Sequence, residues 1–216
     1  GLAIDGTLDA TGIPAAVVTK YLSEHGIIVE KTGLYSFFIM FTIGITKGRW
    51  NTLVTELQQF KDAYDGNAPL YRVMPRFVTQ FPQYEGLGLK DLCQKIHCIY
   101  REYDVAHLTT RMYTSQMIPA MRPADAYARF VHGQVDRLMI DDIEGRVSAV
   151  LLTPYPPGIP LLVPGERING TIVQYLQFAR EFSRLFPGFE SDVHGLVKEA
   201  GENGQVRYML DCVREN

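Results

Sequence analysis

Proline dominates one stretch of this chain and limits what the chain can form there. Residues 154–166 read Pro-Tyr-Pro-Pro-Gly-Ile-Pro-Leu-Leu-Val-Pro-Gly-Glu, with five prolines in thirteen residues. Each proline restricts its own backbone, lacks an amide donor and turns the preceding residue away from helix. The stretch therefore cannot be the interior of a helix or a sheet. Because an apolar run precedes it and a helical pattern follows it, we predict a rigid strand-to-helix crossover, where functional sites are often built.

Composition and charge exclude several classes of partner. The 216 residues are 46% hydrophobic, enough for one large or two small domains with apolar cores. With a net charge of -3 and a pI of about 6.0, the chain lacks the basic field that favours nucleic acid, so no nucleic-acid partner is predicted. No apolar run reaches the roughly 18 residues of a membrane helix, so no membrane partner is predicted either.

The cysteines and the first residues bear on location and completeness. Cys93, Cys98 and Cys212 have spacings that match neither a zinc site nor a disulfide framework. We interpret them as free thiols and predict a reducing, cytoplasmic location. The first residues show neither an initiator methionine nor a signal peptide. The chain is therefore expected to be cut from a longer protein.

Apolar periodicity predicts an α+β protein with α/β layers. Apolar residues at helical spacing predict helices over residues 14–25, 46–65, 89–103, 123–131 and 172–186. Buried strands are predicted at residues 27–29 and 34–41, and further strands at 135–140, 146–153 and 205–213, the last paired with residues near 193–197. Glycines and prolines concentrate in residues 66–88, which predicts a domain boundary there. The helix, two strands and helix that precede this boundary would form one layered α/β unit of about 65 residues.

The sequence shows no complete catalytic motif. The five histidines form no pair at metal-ligand spacing, and there is no Gly-rich phosphate loop or nucleophile elbow. No metal site is predicted. His25 and His132 each precede a glycine at a predicted helix end, where the imidazole can bond the last carbonyls, and we favour that structural role over catalysis. His194 is left open, and no lysine lies in an evident desolvated pocket that would favour a Schiff base.

Three residues have both a functional and a structural interpretation. Glu30 follows a predicted buried strand, so its carboxylate either projects into a crevice or is a solvated turn residue. Glu166 follows Pro-Gly in the rigid crossover and is either a site carboxylate or a charge favoured by the dipole of the following helix. Tyr155, between two prolines, is either an anchored core aromatic or a site hydroxyl, and we favour the anchor.

Several long motifs in one order resemble a known family. They are Gly12-Ile13-Pro14-Ala15-Ala16, the run from Glu30-Lys31-Thr32-Gly33 through Leu34-Tyr35-Ser36-Phe37-Phe38, residues 154–166, Phe186-Pro187-Gly188-Phe189-Glu190 and Asp192-Val193-His194-Gly195. Together they resemble the bacterial ornithine/lysine/arginine decarboxylases, which use pyridoxal 5'-phosphate (PLP) and have the aspartate-aminotransferase-like fold. The resemblance covers essentially the whole chain. Residues 44–65 and 86–93 look most like the lysine decarboxylase members.

The resemblance covers only the C-terminal part of such an enzyme. Residues 1–75 would be the small subdomain of the PLP-enzyme fold, and residues 76–216 the family's C-terminal domain. The family's Schiff-base lysine follows a histidine, and no His-Lys pair occurs here, so the resemblance places the catalytic lysine upstream and assigns no catalytic residue to this chain. The chain alone is expected to be inactive.

In the intact enzyme the resemblance implies decarboxylation of a basic amino acid. PLP takes up electrons as CO2 departs, and lysine would give cadaverine. The reaction consumes a proton, which fits the family's role in acid stress, and it supplies polyamine metabolism. A carboxylate suits the substrate's distal ammonium. Glu30 is the candidate for that role, with Thr32 and Tyr35 beside it and Tyr155 and Glu166 as further substrate-binding candidates.

Other hypotheses remain beside the decarboxylase. The chain could be a non-catalytic assembly or interaction module whose work is subunit contact, since family members form homodimers and higher oligomers. It could also be a self-contained domain that binds a small ligand. Aromatic and apolar residues on the helices, such as Trp50 and Phe60, are predicted to belong to the core of the full subunit. Those left exposed are predicted to mediate self-association.

Overall fold

The main helices begin and end close to where the apolar periodicity predicts them. The structure is a computed structural model that describes residues 1–154, 159–190, 192–201 and 206–215. The five predicted helices are confirmed as α1, α2, α5, α7 and α8. The α-helices are α1 (Ala15–Glu24), α2 (Lys47–Asp65), α3 (Leu70–Val73), α4 (Pro75–Gln80), α5 (Leu89–Glu102), α6 (Val105–Thr114), α7 (Pro123–Val131) and α8 (Gly170–Leu185).

The strands are short and pair antiparallel. In chain order they are β1 (Lys31–Thr32), β2 (Phe37–Phe38), β3 (Ile118–Pro119), β4 (Val135–Met139), β5 (Thr153–Pro154), β6 (Glu166–Arg167), β7 (Val193–His194), β8 (Val197–Ala200) and β9 (Val206–Val213). The pairs are β1 with β2, β3 with β6 and β5 with β7, and one three-stranded sheet has the order β4-β9-β8. Helices with small separate sheets confirm the predicted α+β class, and the β8–β9 pair confirms the predicted C-terminal pairing.

The chain divides into two compact units, which we describe separately. Unit 1 comprises Gly1–Ala106 and Phe186–Phe189, and unit 2 comprises His107–Leu185 and Glu190–Asn216. These units are defined by packing, whereas the predicted boundary near residue 75 concerns sequence domains. That boundary stays a prediction.

In unit 1, one face of each long helix supplies the core. Tyr21 of α1 packs edge-on against Phe60 of α2, with ring centroids 5.3 Å apart. Burying one such side chain stabilises the fold by about 1.5–3 kcal/mol. The buried residues of these helices are Ala15, Val17, Val18, Tyr21 and Leu22 in α1, Leu53 and Phe60 in α2, and Leu89, Leu92, Cys93, Ile96, His97 and Tyr100 in α5.

The Gly- and Pro-rich residues 66–88 are a packed part of unit 1. They form α3, α4 and a 3-10 turn, Pro82–Tyr84, and bury Leu70, Met74 and Phe77. Asn67, which follows the end of α2, also starts α5: its Oδ1 accepts hydrogen bonds from the amides of Lys90 (3.0 Å) and Asp91 (3.3 Å). These contacts satisfy amides that have no partner within the helix.

In unit 2, β9 is the central strand. It pairs with β4 over Val135–Met139 and with β8 over Val197–Ala200. Helix α7 packs on β9. A cluster of fully buried small residues lies beside this strand, formed by Ala126, Val147, Ala149 and Val213, with Met121 and Val135 against it.

Two predictions of buried strands in unit 1 are wrong. Residues 27–29 form no strand, and Ile28 is 86% exposed. In residues 34–41 only Phe37–Phe38 is a strand, and Phe38, Met40 and Phe41 are about half exposed. The hairpin ends after two residue pairs and, in the described residues, no third strand joins it. An extended sheet that would bury these side chains is therefore not formed.

The predicted strand over residues 146–153 is also wrong as one continuous element. The backbone around Ser148 bonds to β9 on one side, through Ala149 N to Asp211 O (3.0 Å), and to Glu166 O on the other (2.9 Å). The Ser148 hydroxyl then donates to the carbonyl of Val150 (2.7 Å). Such local side-chain bonds compete with a strand ladder and bend the chain.

Candidate functional site

The Glu-Lys-Thr-Gly motif lies on a small hairpin of unit 1. Lys31 and Thr32 of β1 pair with Phe38 and Phe37 of β2, and the amide of Glu30 donates to the carbonyl of Phe38 (2.9 Å). Glu30 and Thr32 are exposed. Because side chains alternate along a strand, Glu30 and Thr32 share one face of the hairpin. The hairpin therefore presents a carboxylate and a hydroxyl side by side at the surface of unit 1.

The turn of this hairpin is fastened to the interior of unit 1. The amide of Gly33 donates to the carbonyl of Ser36 (2.7 Å), and the Leu34 carbonyl accepts from the amide of Ala15 at the start of α1 (2.8 Å). The Tyr35 hydroxyl lies 2.5 Å from His97 Nδ1. Burial raises the pKa of Tyr35 to about 12. Tyr35 is thus an anchor whose hydroxyl already has a protein partner.

His97 of α5 is the residue that sequence reasoning did not single out. It is fully buried, and its Nε2 lies 2.8 Å from the carbonyl oxygen of Asp9. A carbonyl can only accept, so Nε2 carries the proton and Nδ1 accepts from the Tyr35 hydroxyl. The available signal was His97's place on the apolar face of α5, beside Ile96 and Tyr100.

Glu166 lies in unit 2 and supports a turn. Gly165 has a φ of +94° and follows Pro164, the arrangement of a type II turn, and the amide of Glu166 donates to the carbonyl of Val163 (3.2 Å). The carboxylate of Glu166 accepts from the Val163 amide (2.9 Å). Glu166 belongs to β6 and α8 begins only at Gly170, so the interpretation as a helix-entry charge is wrong.

The structure brings together three of the five predicted site residues. Glu30, Thr32 and Tyr35 share the hairpin of unit 1, whereas Glu166 is in unit 2. Tyr155 lies outside the described residues. The proline-rich stretch begins at the end of β5 as predicted, but it leads into β6 and α8 begins only at Gly170, so the predicted direct crossover from strand to helix is wrong. Substrate binding by all five stays a prediction.

Two further histidines, His25 and His132, lie at helix ends and bond helix carbonyls. His25 Nδ1 lies 2.9 Å from the carbonyl oxygen of Tyr21, and His132 Nδ1 lies 2.6 Å from that of Ala128. Both contacts confirm the predicted role at helix ends. His194 is an exposed residue of β7 paired with Thr153. Across residues 1–154, 159–190, 192–201 and 206–215, no three His, Cys, Asp or Glu side chains are grouped to hold a metal ion.

The lysines do not fit a PLP aldimine. A Schiff-base lysine is normally activated by a desolvated pocket or a cationic neighbour. Lys20 is half-buried and the other six lysines are exposed. Lys61 pairs with Asp65, and Lys198 with Asp192. None of these lysines thus shows, in the part of the chain that the structure describes, the surroundings that favour a Schiff base.

Solved structures of lysine decarboxylases share the fold of this chain. The structure of lysine decarboxylase A from Pseudomonas aeruginosa matches with a TM-score of 0.91 at 50% identity, over 99% of this chain and 29% of that chain. The constitutive lysine decarboxylase of E. coli matches with a TM-score of 0.89 at 35% identity, over 99% of this chain and 30% of that one.

Family models agree with these structures. A model described as Orn/Lys/Arg decarboxylase, C-terminal domain, matches residues 106–214, and one described as Orn/Lys/Arg decarboxylase, major domain, matches residues 1–49. The chain belongs to the Orn/Lys/Arg decarboxylase family.

Curated relatives include decarboxylases of lysine, arginine and ornithine. Lysine decarboxylase LdcA of Pseudomonas aeruginosa is 50% identical over 100% of this chain and 29% of its own length. The biodegradative arginine decarboxylase of Escherichia coli is 37% identical over 90% and 26%, and the constitutive ornithine decarboxylase of that bacterium is 34% identical over 91% and 28%. The chain thus spans under a third of the length of these relatives.

Where the structure describes the chain, no helix combines the length and the hydropathy needed to cross a membrane.

Proposed function

We propose that this chain is the C-terminal part of a PLP-dependent decarboxylase that converts lysine to cadaverine and CO2 in the cytoplasm. The observation that carries the proposal is the 50% identity to a lysine decarboxylase over the whole chain. Arginine and ornithine are the alternative substrates. Because decarboxylation takes up a proton, the activity would serve acid resistance as well as polyamine supply.

The contribution of this chain would be to the substrate end of the site. The hairpin presents the exposed Glu30 carboxylate, with Thr32 on the same face. A carboxylate hydrogen-bonds an ammonium group strongly when water is excluded. We propose that Glu30 holds the distal ammonium of the substrate. The cofactor would be held by a part of the polypeptide other than residues 1–216, because the lysines here do not fit it, and the isolated chain would be inactive.

A chimeric enzyme tests this proposal. Residues 1–216 would replace the corresponding segment of Pseudomonas aeruginosa lysine decarboxylase, and cadaverine, agmatine and putrescine would be measured as products. We expect lysine decarboxylation with kcat within about tenfold of the parent's, a loss of at most about 1.4 kcal/mol of transition-state stabilisation. A folded chimera that binds PLP but decarboxylates no basic amino acid would overturn the proposal.

The isolated chain provides the complementary test. It would be titrated with PLP, reduced with borohydride and weighed as an intact protein. We expect no specific modification. Stoichiometric labelling of one lysine, with a matching aldimine absorbance, would show that the chain holds a cofactor site of its own.

A second candidate function is assembly, as a homodimer or a higher oligomer. Several apolar side chains of unit 1 are exposed, and the rings of Phe41 and Trp50 contact each other at a tilt, with centroids 5.1 Å apart. An exposed apolar group of this kind favours protein contact. The exposed apolar group consists of Phe38, Met40, Phe41, Trp50 and Val54.

A further inference from the structure

We propose that His97 is a positioning residue for substrate binding, because its hydrogen bond to Tyr35 holds the hairpin that presents Glu30. The inference rests on the proposed function, since it gives the hairpin a substrate to bind. His97 itself is buried and touches no substrate. Its effect would pass through the turn of the hairpin to the exposed carboxylate.

His97 is held rigidly at both ring nitrogens. Nε2 donates to the Asp9 carbonyl (2.8 Å) and Nδ1 accepts from the Tyr35 hydroxyl (2.5 Å). The ring belongs to helix α5, which is packed in the core of unit 1: Ile96 is fully buried and Tyr100 is nearly so. A ring fixed at two points on a packed helix is a stable reference for the segment bound to it.

The Tyr35 ring is enclosed by aromatic neighbours. It meets His97 edge-on with ring centroids 5.7 Å apart, and Tyr100 edge-on at 6.1 Å. Gly12 leaves room for both partners, because a Cβ there would lie 2.6 Å from His97 Nδ1 and 2.8 Å from Tyr35 Cε1. The chain around Gly12 is therefore shaped to admit the Tyr35–His97 pair.

The hairpin depends on such anchors. It contains only two paired residues on each strand, and an isolated two-stranded hairpin is at best marginally stable in water. Two contacts tie its turn to the helices: Leu34 O to Ala15 N at α1, and Tyr35 to His97 at α5. Loss of the second contact removes one of these two hydrogen bonds, so Glu30 would sample a wider range of positions.

The expected consequence falls on substrate binding more than on chemistry. Glu30 would contact the end of the substrate far from the reacting carbon, so its contacts would be alike in the ground state and the transition state. Removing such uniform binding raises KM and leaves kcat nearly unchanged.

The experiment uses the full decarboxylase chain that carries residues 1–216. Tyr35→Phe removes the hydroxyl and keeps the ring, and His97→Asn keeps an acceptor near the position of Nδ1. We expect Tyr35→Phe to raise KM for lysine roughly three- to tenfold, the factor that corresponds to the net free energy of one hydrogen bond. We expect His97→Asn to raise KM less, and kcat to change less than about twofold in both.

A matched control separates positioning from general loss of stability. Tyr21→Phe removes another partly buried hydroxyl of unit 1, which bonds Glu56 (2.7 Å) between α1 and α2, away from the hairpin. We expect it to lower the melting temperature about as much as Tyr35→Phe, with KM unchanged. Equal effects of Tyr21→Phe and Tyr35→Phe on KM would overturn the inference.

Two further measurements distinguish failure of the inference from failure of the proposed function. Hydrogen exchange at the amides of Glu30 and Gly33 requires no activity, and unchanged exchange in Tyr35→Phe would overturn the positioning role. Glu30→Gln is expected to raise KM at least as much as Tyr35→Phe. If it leaves KM unchanged in an enzyme that decarboxylates lysine, the inference fails while the proposed function stands.

Discussion

Gly12 illustrates what single residues decide in this protein. In the sequence it is the first residue of a Gly-Ile-Pro motif, with no visible reason to be glycine. In the structure its missing Cβ leaves space for His97 and Tyr35. Pro14, two residues later, directly precedes α1. The requirement is one of close approach between backbone and buried side chains, which glycine alone meets.

Gly12→Ala is therefore expected to destabilise unit 1. The new Cβ would lie 2.6 Å from a histidine that is bonded at both nitrogens, so the pair must shift. Overpacking of this kind typically lowers the free energy of unfolding by about 1–3 kcal/mol. Denaturant unfolding would measure it.

Gly48→Ala in α2 is the control for this change. A Cβ at Gly48 would meet only Thr46 Oγ1, at 3.8 Å. Alanine in a helix is favoured over glycine by about 0.5–1 kcal/mol, so stability should rise or stay unchanged. Equal loss of stability in both variants would contradict the explanation by steric contact.

At the scale of elements, an ion pair ties β4 to β9. Arg137 and Asp211 are directly opposite each other, with Nε to Oδ1 at 2.9 Å and Nη2 to Oδ2 at 3.1 Å. Asp211 is only 5% exposed, and both its neighbours Leu210 and Cys212 are fully buried, so inward and outward side chains do not alternate in this part of β9. Asp211 holds the pKa of Arg137 above its usual range. A bidentate pair of this geometry adds register as well as stability.

Asp211→Asn is expected to lower the free energy of unfolding of unit 2. It removes a charged acceptor from a nearly buried position, and hydrogen bonds to charged groups contribute about 1.5–3 kcal/mol. Because Arg137 is half exposed to water, we expect the lower end of that range. Denaturant unfolding followed by circular dichroism measures the change.

Glu199→Gln acts on the same arginine from β8. Glu199 Oε1 lies 3.3 Å from Arg137 Nη1, and both side chains are exposed. The change should lower stability by at most about 0.5 kcal/mol, as for other surface pairs. A loss as large as that of Asp211→Asn would mean that burial does not decide the strength of the pair.

A second ion pair connects α8 to the turn after β4 and predicts a pH dependence. Arg180, with Gln177 beside it, hydrogen-bonds Asp141 and holds the pKa of that carboxyl below its usual range. As pH falls through about 4, Asp141 takes up a proton in the unfolded chain before it does so in the folded chain. The stability that the ion pair contributes is therefore present above that pH and is lost below it.

The test compares the wild-type chain with Asp141→Asn across pH 3 to 7. The wild-type melting temperature should exceed that of the variant near neutral pH, and the difference should shrink once pH falls below about 4. Asp142→Asn, at the exposed neighbour, should show a smaller difference at neutral pH. A difference that is constant with pH would contradict the assignment.

For the whole molecule, the exposed apolar group predicts self-association. Trp50 is 48% exposed, whereas Phe60, also predicted to be core, is buried. Sedimentation velocity of the isolated chain should show association that grows with concentration. Replacing Phe41 and Trp50 by serine should weaken the association, because it removes the two exposed aromatic rings that contact each other in this group.

Val131→Ser in α7 is the control, since Val131 is exposed but belongs to unit 2. Its association should equal that of the wild type. A wild-type chain that is monomeric at every concentration would contradict self-association through this surface.

Several elements could be predicted from sequence because their signals are local. Helices α1, α2, α5 and α8 follow from apolar spacing over ten or more residues, and Pro164-Gly165 specifies its own turn. Resemblance to a family singled out the Glu-Lys-Thr-Gly motif, but the sequence did not predict that Lys31 and Thr32 form a strand of a hairpin. The buried strands at residues 27–29 and 34–41 failed because an apolar run shows only that the residues are apolar, and not that another surface covers them.

The sequence by itself determined five of the helices, the α+β class and the family, since each depends on residues close together in the chain or on shared motifs. Only the tertiary structure decided which side chains meet. His97 and Tyr35 are 62 positions apart, and Arg137 and Asp211 are 74 apart. Such contacts arise when packed helices and paired strands bring distant residues together, and local propensity carries no record of the partner. The same packing left Phe38 and Trp50 at the surface and placed Asp211 inside.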